Sequence, residues 1–570
     1  MTHSHSRRSR IRVRRRRLAA SLAAVFACAG VHAGDFFIPV ENCNDAGPGS
    51  LRDVIAHALN GDHLAFGEAC TVSLTGGPIV IDTDVNGTPF THLDISGFGD
   101  ASVTIDGGGL DRVFVQDAGA DALLTFTNIR IANGRSVDGG NGGCVLAHGD
   151  VELANVEITG CATGTVSGDA PFGDGPVRGG GLYAAGSVTI ENSVIASNRI
   201  DGNGRHAYGG GVFAGRALTL TSSRIEDNSA LSIDGGAYGG GFAAGDHSAD
   251  VQATVAIASS TITGNTVESH CGFCGARGAG AWIQGTTTST GGAIGANHAI
   301  STYGYGTGGG LYAIGSTTLT GTSVHCNTAD RAAGVGVAGP LSISGATLDC
   351  NAANADGGAV YLIGGSLVLT DSTIAANTAG DRGGGIFLRG YGDVATVNST
   401  ISGNSAANGG AIANTYGSLH LSNSTLASNT ASGHGGGVWF HYAYYPFELT
   451  STIVSGNTAA SVPEDIWPPG VHVDGSHSLV VAAAGVELPG DTLAADPLLL
   501  PLGANGGATP THALGEGSPA IDTGGNPLAL PHDQRGEGFM RAYGKAPDIG
   551  AFEVQPPGAA DPIFTDGFDP

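Results

Sequence analysis

The chain has 570 residues, 98 of them glycine, and carries a formal net charge of −26 at pH 7. The glycines follow no Gly-X-Y period, which excludes collagen, and a hydrophobic content of 41 % is too high for a disordered chain. A chain this acidic repels nucleic acid and anionic lipid, so neither is an expected partner.

The first 33 residues have the pattern of a secretory signal peptide. Arg7 to Arg17 form a basic segment, Leu18 to Val31 form an apolar segment, and Val31 to Ala33 form a small-residue cleavage site. A lipoprotein signal at Cys28 and a twin-arginine signal fit the residues less well. Cleavage after residue 33 removes eight arginines and no acid, which leaves a charge of 16 − 50 = −34. No later apolar run is long enough to cross a bilayer as a helix, so the mature chain is expected to have no transmembrane helix.

Residues 34–110 are predicted to form an N-terminal cap and the first coils of a solenoid. Ser50 is a suitable N-cap for a short helix whose apolar residues recur at helical spacing from Leu51 to Leu59. Strand-like alternation follows in Thr71–Leu74, Pro78–Ile81 and Ser102–Ile105. A helix laid over the first coil would protect the unpaired strand edges of a solenoid end.

From residue 111 to residue 460 a short phrase recurs: Ser-Thr, an aliphatic residue, two further residues and Asn, followed by a glycine-rich triplet. Its clearest copies begin at Ser372, Ser399 and Ser424, about 26 residues apart. A repeat this short cannot bury its own apolar face and must stack on its neighbours. We therefore expect coils of short strands joined by turns.

Asparagine and glycine each recur at a fixed phase of the repeat. Stacked coils would place the asparagines about 4.8 Å apart, where their amides can form a ladder, so their expected role is structural rather than catalytic. The glycines should adopt positive φ and allow close approach of the next coil. The asparagines are Asn198, Asn228, Asn265, Asn327, Asn351, Asn377, Asn404, Asn429 and Asn457, and the glycines begin at Gly179, Gly209, Gly239, Gly308, Gly357, Gly383, Gly409 and Gly435.

Eight cysteines follow the signal peptide, and an even number in an exported protein indicates disulfides. Cys326 and Cys350 hold the same phase one repeat apart, so stacking would bring their Cα atoms to roughly 5 Å, within disulfide range. A redox or metal site is less favoured for the CxxC than a loop disulfide, because no second CxxC exists. The expected pairs are Cys326–Cys350, Cys43–Cys70, Cys144–Cys161 and Cys271–Cys274.

The repeats resemble those of right-handed parallel β-helices, in particular polymorphic outer membrane protein-like repeats with Gly-Gly-Ala-Ile and Phe-x-x-Asn. Here a β-branched or smaller residue replaces the Phe. Gly49 to Ile55 resembles the CSLREA N-terminal module, with Gly49 where that module has Cys. The resemblance implies an all-β fold, a right-handed parallel β-helix with an N-terminal helical cap.

Residues 461–555 resemble the choice-of-anchor Q domain, which implies a β-rich C-terminal cap. The matching elements are Asp496–Leu498, Asn505–Leu514, Ser518–Asp522, Asp533–Gly536 and Asp548–Glu553. Residues 556–570 are expected to form a linker and tail, of which Ile563–Asp569 resembles a terminal tag of Gram-negative exported proteins. These resemblances imply a protein secreted by, or on the outer surface of, a Gram-negative bacterium.

The sequence indicates no catalytic residue, metal site or cofactor. Pectate lyases and polygalacturonases share the β-helix fold, but a fold does not decide function. Gly433-His434-Gly435 resembles a polygalacturonase motif, yet its companion motifs, and a pair of acids suited to hydrolysis, are not evident. Asp356 and Asp381-Arg382 precede glycine runs at similar phases and are expected to stack at a turn.

The best candidates for binding are aromatic, because such rings stack on sugars or anchor protein partners. Tyr208 and Tyr238 both precede a glycine triplet and should form a vertical pair, and a second group is concentrated in one short segment. The candidate binding residues are Trp439, Phe440, Tyr442, Tyr444, Tyr445, Tyr208 and Tyr238. The alternative is that these rings only cover the flank of the solenoid.

The leading hypothesis is an exported, non-enzymatic, adhesin-like protein that binds a glycan or a surface protein through the solenoid flank. The alternative is a polysaccharide lyase or glycoside hydrolase with an unfamiliar site, and a third hypothesis is a structural spacer. An outward groove with two or more acids and an arginine would favour an enzyme, whereas an aromatic strip would favour binding.

Overall fold

The structure is a computed structural model that describes residues 37–99, 103–164, 175–246, 250–272, 274–303, 306–442 and 444–555. The predicted signal peptide and the predicted tail at 556–570 lie outside the described residues. Within the described ranges, no helix has the length and apolarity needed to cross a membrane.

Four β-sheets contain the strands of the described residues, and we name them A to D. Sheet A has 27 strands: Phe37–Val40, His63–Phe66, Ile79–Ile81, His92–Ser96, Phe114–Gln116, Leu123–Thr127, Val145–Ala147, Asp150–Ala154, Leu182–Ala184, Val188–Glu191, Val212–Ala214, Ala217–Thr221, Phe242–Ala244, Ala253–Ala258, Ala281–Thr290, Leu311–Ile314, Thr317–Thr320, Val335–Ala338, Leu341–Ser344, Val360–Leu362, Leu367–Thr370, Ile386–Val397, Ile412–Ser422, Val438–Phe440, Phe447–Thr450, Ile466–Trp467 and Asp474–Ser476.

The other three sheets are built from shorter strands. Sheet B consists of Thr71–Ser73, Val103–Asp106, Ile129–Ala132, Glu157–Thr159, Val194–Ala196, Arg224–Glu226, Thr261–Thr263, Ala293–Gly295, Ser323–His325, Thr347–Asp349, Thr373–Ala375, Thr400–Ser402, Thr425–Ala427, Ile453–Ser455 and Leu479–Val480. Sheet C consists of Ala162–Gly164, Arg199–Asp201, Ser229–Ser232, Thr266–Ser269, His298–Ser301, Thr328–Ala329, Ala352–Ala353, Thr378–Ala379, Ser405–Asn408, Thr430–His434, Thr458–Ala459 and Val462–Pro463. Sheet D consists of Val177–Arg178, Ala207–Tyr208, Ala237–Tyr238 and Ala276–Arg277.

Successive coils pair in parallel and in register, which confirms the predicted all-β parallel β-helix. Val212 pairs with Phe242, one coil and 30 residues later, and Thr373 pairs with Thr400 in sheet B. The alternation of apolar and polar residues turns one set of side chains inward, where aliphatic residues from every coil form one continuous core. A local exception is the antiparallel pairing of Thr458–Ala459 with Val462–Pro463.

The N-terminal helix forms at Leu51–His57, where the Ser50 side chain caps it by accepting a hydrogen bond from the Asp53 N–H. Its buried residues join the same core as the first strands. Strands of the stacked coils occur within residues 34–110 as well as 111–460, and they continue to Val480.

The asparagine ladder is confirmed, and it includes Asn297, which the spacing did not reveal. Each Nδ2 group donates to the Oδ1 atom of the next asparagine at 2.9 or 3.0 Å, and all ten side chains are buried. The residue before each asparagine often has a left-handed backbone, as in Gly264 and Gly403, which turns the chain from sheet B into sheet C. The ladder ends where Asn457 donates to Asp465.

The first glycine of each triplet adopts positive φ, as predicted. At Gly209, where φ is +74°, an added Cβ would lie 2.1 Å from the Val212 carbonyl oxygen, so no other residue fits. The four expected disulfides are also present, and the Cα atoms of Cys326 and Cys350 lie 4.4 Å apart.

The C-terminal segment, residues 484–554, contains isolated β-bridges but no strand of the four sheets. It folds back along the outer face of sheet B instead of only closing the solenoid end. The Gln534 amide donates to the Thr373 hydroxyl and accepts from the Thr400 hydroxyl, at 2.8 and 2.6 Å. Further along, the Ala551 N–H donates to Thr425. This segment is thus held against the coils by isolated β-bridges near its start and by hydrogen bonds of side chains further along.

Candidate functional site

Five tyrosines from three successive coils gather on the outer face of sheet A, and we call Tyr391, Tyr416, Tyr442, Tyr444 and Tyr445 the tyrosine cluster. Tyr391 and Tyr416 are direct partners in adjacent strands. The other three lie between Val438–Phe440 and Phe447–Thr450, where the sheet A strand of the next coil is interrupted. Parallel stacking in register therefore assembles residues that are far apart in the sequence.

The rings of the tyrosine cluster are both packed together and open to solvent. The centroid of Tyr416 lies 5.4 Å from that of Tyr391 and 5.0 Å from that of Tyr442. The Tyr445 ring meets Tyr391 edge-on at 6.3 Å. Tyr391 and Tyr444 are 73 % and 87 % exposed. Exposed apolar rings in contact with one another mark an interaction surface more strongly than scattered ones do.

The cluster continues into a longer row of rings that crosses the outer face of sheet A. His441 lies edge-on to Tyr442 at 4.3 Å and near Trp439 at 5.5 Å. Trp439 is the direct partner of Trp467 in the next coil, and His434 stacks on Trp467 at 3.9 Å. We call the tyrosine cluster together with His434, Trp439, His441 and Trp467 the aromatic strip.

Two phenols of the cluster are held in the neutral form. A hydrogen bond with Tyr442 raises the pKa of Tyr416, and partial desolvation, together with the neighbouring Tyr391, raises the pKa of Tyr445. Both hydroxyl groups therefore remain protonated at physiological pH. The cluster offers ring faces and neutral hydroxyls rather than negative charge.

The structure separates the predicted binding residues into exposed and buried sets. Trp439 is half-buried, whereas Phe440 is 2 % exposed and packs against Phe447 at 5.2 Å in the core. Phe440 is unsuited to binding, because strand alternation turns it inward between two outward residues. Tyr442, Tyr444 and Tyr445 are at the surface or only half-buried.

Tyr208 and Tyr238 form the predicted vertical pair, with centroids 4.6 Å apart and ring planes at 13°. However, they are 4 % and 8 % exposed, because Trp282 packs edge-on against both rings. The Arg277 guanidinium also lies over the Tyr238 ring. These two tyrosines belong to a buried satellite core and present no open ring face.

Tyr391 and Tyr416 were not among the predicted binding residues, because each is isolated in the sequence. Their position in the repeat would have identified them. Tyr391, Tyr416 and Tyr442 each lie seven or eight residues after the first glycine of a triplet, at positions 383, 409 and 435 respectively. An alignment by repeat phase would have brought them together.

The charged residues near the glycine runs form structural pairs. Asp356 is 3 % exposed, and the Arg382 guanidinium donates to both its oxygens at 2.9 and 3.2 Å, while Arg331 approaches to 3.5 Å. This confirms the predicted stacking of Asp356 and Arg382, and the buried carboxylate is held between two arginines. His434 of the Gly-His-Gly motif lies 3.6 Å from Glu464. Within the described ranges, no group of three or more His, Cys, Asp or Glu is arranged to hold a metal ion.

No family model and no curated protein matches the chain. Among solved structures, the crystal structure of pectate lyase Pel9A aligns with 92 % of this chain and 98 % of that chain, at 12 % identity and a TM-score of 0.24.

Proposed function

We propose that this chain is an exported, non-enzymatic, adhesin-like protein that binds a glycan through the aromatic strip. The observation that carries the proposal is the exposed, mutually packed tyrosine cluster, in which Tyr391 and Tyr416 lie on adjacent strands of sheet A and the other three tyrosines lie in the loop of the next coil. Such rings are ordered before a ligand arrives, so binding costs little side-chain entropy. Flat ring faces beside hydroxyl groups suit the apolar faces and hydroxyls of sugars.

A neutral glycan fits this surface better than a polyanion. The chain after residue 33 carries 50 acidic residues against 16 lysines and arginines, so its field repels anionic polymers at long range. The neutral phenols of Tyr416 and Tyr445 add hydrogen-bonding groups without charge. A lyase or hydrolase remains the second candidate function, but Asp356 and Arg382 are engaged with each other and no described feature favours catalysis.

The secreted or outer-surface location is part of the same proposal. Four disulfides are typical of oxidising compartments, which supports an extracellular protein. The resemblances to a CSLREA module and a choice-of-anchor Q domain point in the same direction and stay predictions.

A glycan array with the mature protein tests the proposal, followed by titration of the best neutral ligand. We expect Tyr391→Ala and Tyr444→Ala each to weaken binding by about tenfold, as loss of an aromatic contact at a binding surface commonly does. Tyr303→Ala is the matched control, because Tyr303 is 59 % exposed but lies outside the aromatic strip.

Two results would overturn the proposal. Unchanged binding in both cluster variants would remove the aromatic strip from the interaction. Cleavage of a polyuronate, measured by the absorbance of its unsaturated product, would show instead that the chain is a lyase.

A further inference from the structure

We propose that Tyr416 and Tyr442 form an oxidisable pair that a haem peroxidase and hydrogen peroxide convert into a dityrosine cross-link between two successive coils. Their ring centroids lie 5.0 Å apart and their planes differ by 28°. Dityrosine joins the ring carbons next to the oxygens, and two rings stacked this closely need only a small movement to bring such carbons together.

The chemistry balances with peroxide as the oxidant. Each phenol gives up one electron and one proton and becomes a phenoxyl radical. The radicals combine through a carbon–carbon bond between ring carbons ortho to the oxygens, and the hydrogens on those carbons then move to the oxygens to restore two phenols. Hydrogen peroxide takes up the two electrons and two protons and becomes two molecules of water.

Access to the oxidant distinguishes this pair from the stacked pair Tyr208 and Tyr238. Tyr442 is 36 % exposed and Tyr416 is half-buried in an open cluster. Tyr208 and Tyr238 stack at 4.6 Å, but both are buried beneath Trp282. The buried pair therefore serves as a comparison that has similar ring geometry but little exposure to the oxidant.

The cross-link would join two coils, as the disulfide Cys326–Cys350 does elsewhere in the solenoid. Tyr416 and Tyr442 are 26 residues apart, so the new bond would close a loop of similar length to that disulfide's. It would also fasten the loop that carries Tyr444 and Tyr445. We therefore expect the oxidised protein to unfold at a higher temperature, because a cross-link restricts the unfolded chain.

The experiment treats the dilute full chain with a haem peroxidase and hydrogen peroxide. We expect the blue fluorescence of dityrosine, a loss of two hydrogen atoms from the monomer mass, and a cross-linked peptide that contains both residues. Tyr416→Phe and Tyr442→Phe should each reduce the monomer fluorescence to background, since phenylalanine keeps the ring but cannot form a phenoxyl radical. Tyr303→Phe should leave it unchanged.

A cross-link that maps to Tyr208 and Tyr238, or that forms only between separate molecules, would overturn the inference, as would the absence of dityrosine. The phenylalanine variants keep the stacking surface, so their glycan binding is measured separately. Failure of cross-linking therefore leaves the proposed function unaffected, and failure of glycan binding leaves the cross-link unaffected.

Discussion

An asparagine amide both donates and accepts, which is why this residue can repeat through the solenoid interior. In Asn377 the Nδ2 group donates to the Leu348 carbonyl and to Asn404, while Oδ1 accepts from the side chain and backbone of Asn351. Each asparagine after the first thereby accepts hydrogen bonds from the side-chain and backbone N–H groups of the asparagine in the preceding coil. Removal of one member leaves several buried polar groups without partners.

Asn377→Ala is accordingly expected to lower the free energy of unfolding by about 2–5 kcal/mol. Asn354→Ala is the matched control in the preceding coil, because Asn354 is exposed and its side chain donates to Asp330 instead of joining the ladder. It should change stability by less than about 0.5 kcal/mol. Urea unfolding of both variants checks the difference, and equal midpoints would show that the ladder contributes little.

The last rung needs a residue that only accepts, and Asp465 meets this need. Its Oδ1 accepts from the Asn457 amide at 2.8 Å and its Oδ2 accepts from the Ala482 N–H at 2.7 Å. In Asp465→Asn the new Nδ2 group would face one of these donors, at a cost of about 1–3 kcal/mol. Burial also raises the pKa of Asp465 to about 6.

The raised pKa gives this substitution a pH dependence. Between the ordinary pKa of 3.8 and about 6, the folded chain holds a proton that the unfolded chain has released, so the stability contributed by Asp465 falls as pH rises through this window. Asparagine has no such proton. The destabilisation by Asp465→Asn should therefore be larger at pH 4 than at pH 7, by about 2–3 kcal/mol. Urea unfolding at both pH values measures it, and a constant difference would contradict the assignment.

Among the secondary-structure elements, sheet B shows why the Ser-Thr phrase is most regular late in the chain. Thr373, Thr400 and Thr425 occupy the same outward register position and are buried beneath the C-terminal segment. On coils that this segment does not cover, the position holds residues such as Arg224, which is exposed. The regular Ser-Thr phrase thus reflects contact with the C-terminal segment as well as the stacking of coils.

Thr400→Val tests this docking with almost no change in side-chain volume. The Gln534 Oε1 atom would lose its donor within a buried contact, and we expect the C-terminal segment to dock less stably by about 1–3 kcal/mol. Thr347→Val is the matched control, since Thr347 holds the same register position two coils earlier, on an uncovered coil. Hydrogen exchange of residues 496–554 should quicken only in the first variant, and equal exchange rates in both would argue against docking through Gln534.

For the whole molecule, the sequence predicts contacts that recur with the repeat and misses those that do not. The disulfide between Cys326 and Cys350 and the asparagine ladder could be predicted, because their residues hold the same position in successive repeats. The tyrosine cluster was found only in part, since Tyr391 is joined to the aromatic segment by coil stacking alone. The contact between Thr373 and Gln534 spans 161 residues and has no periodic signal, so folding back of the C-terminal segment was not foreseen.

The charge of the whole molecule depends on histidine rather than lysine for its response to pH. After residue 33 the chain has 19 − 3 = 16 histidines, as many as its lysines and arginines together. Several lie against carboxylates, such as His92 with Asp94 at 2.8 Å and His420 with Glu448 at 3.2 Å. A histidine in such a pair forms a salt bridge only when it is protonated.

We therefore expect the net charge of the mature chain, formally −34, to become less negative on acidification from pH 8 to pH 5. His512 should contribute least, because burial lowers its pKa. Electrophoretic mobility measured across this range should decrease, and modification of the histidines with diethyl pyrocarbonate should reduce the change. A mobility that stays constant in the unmodified protein would show that its histidines do not titrate.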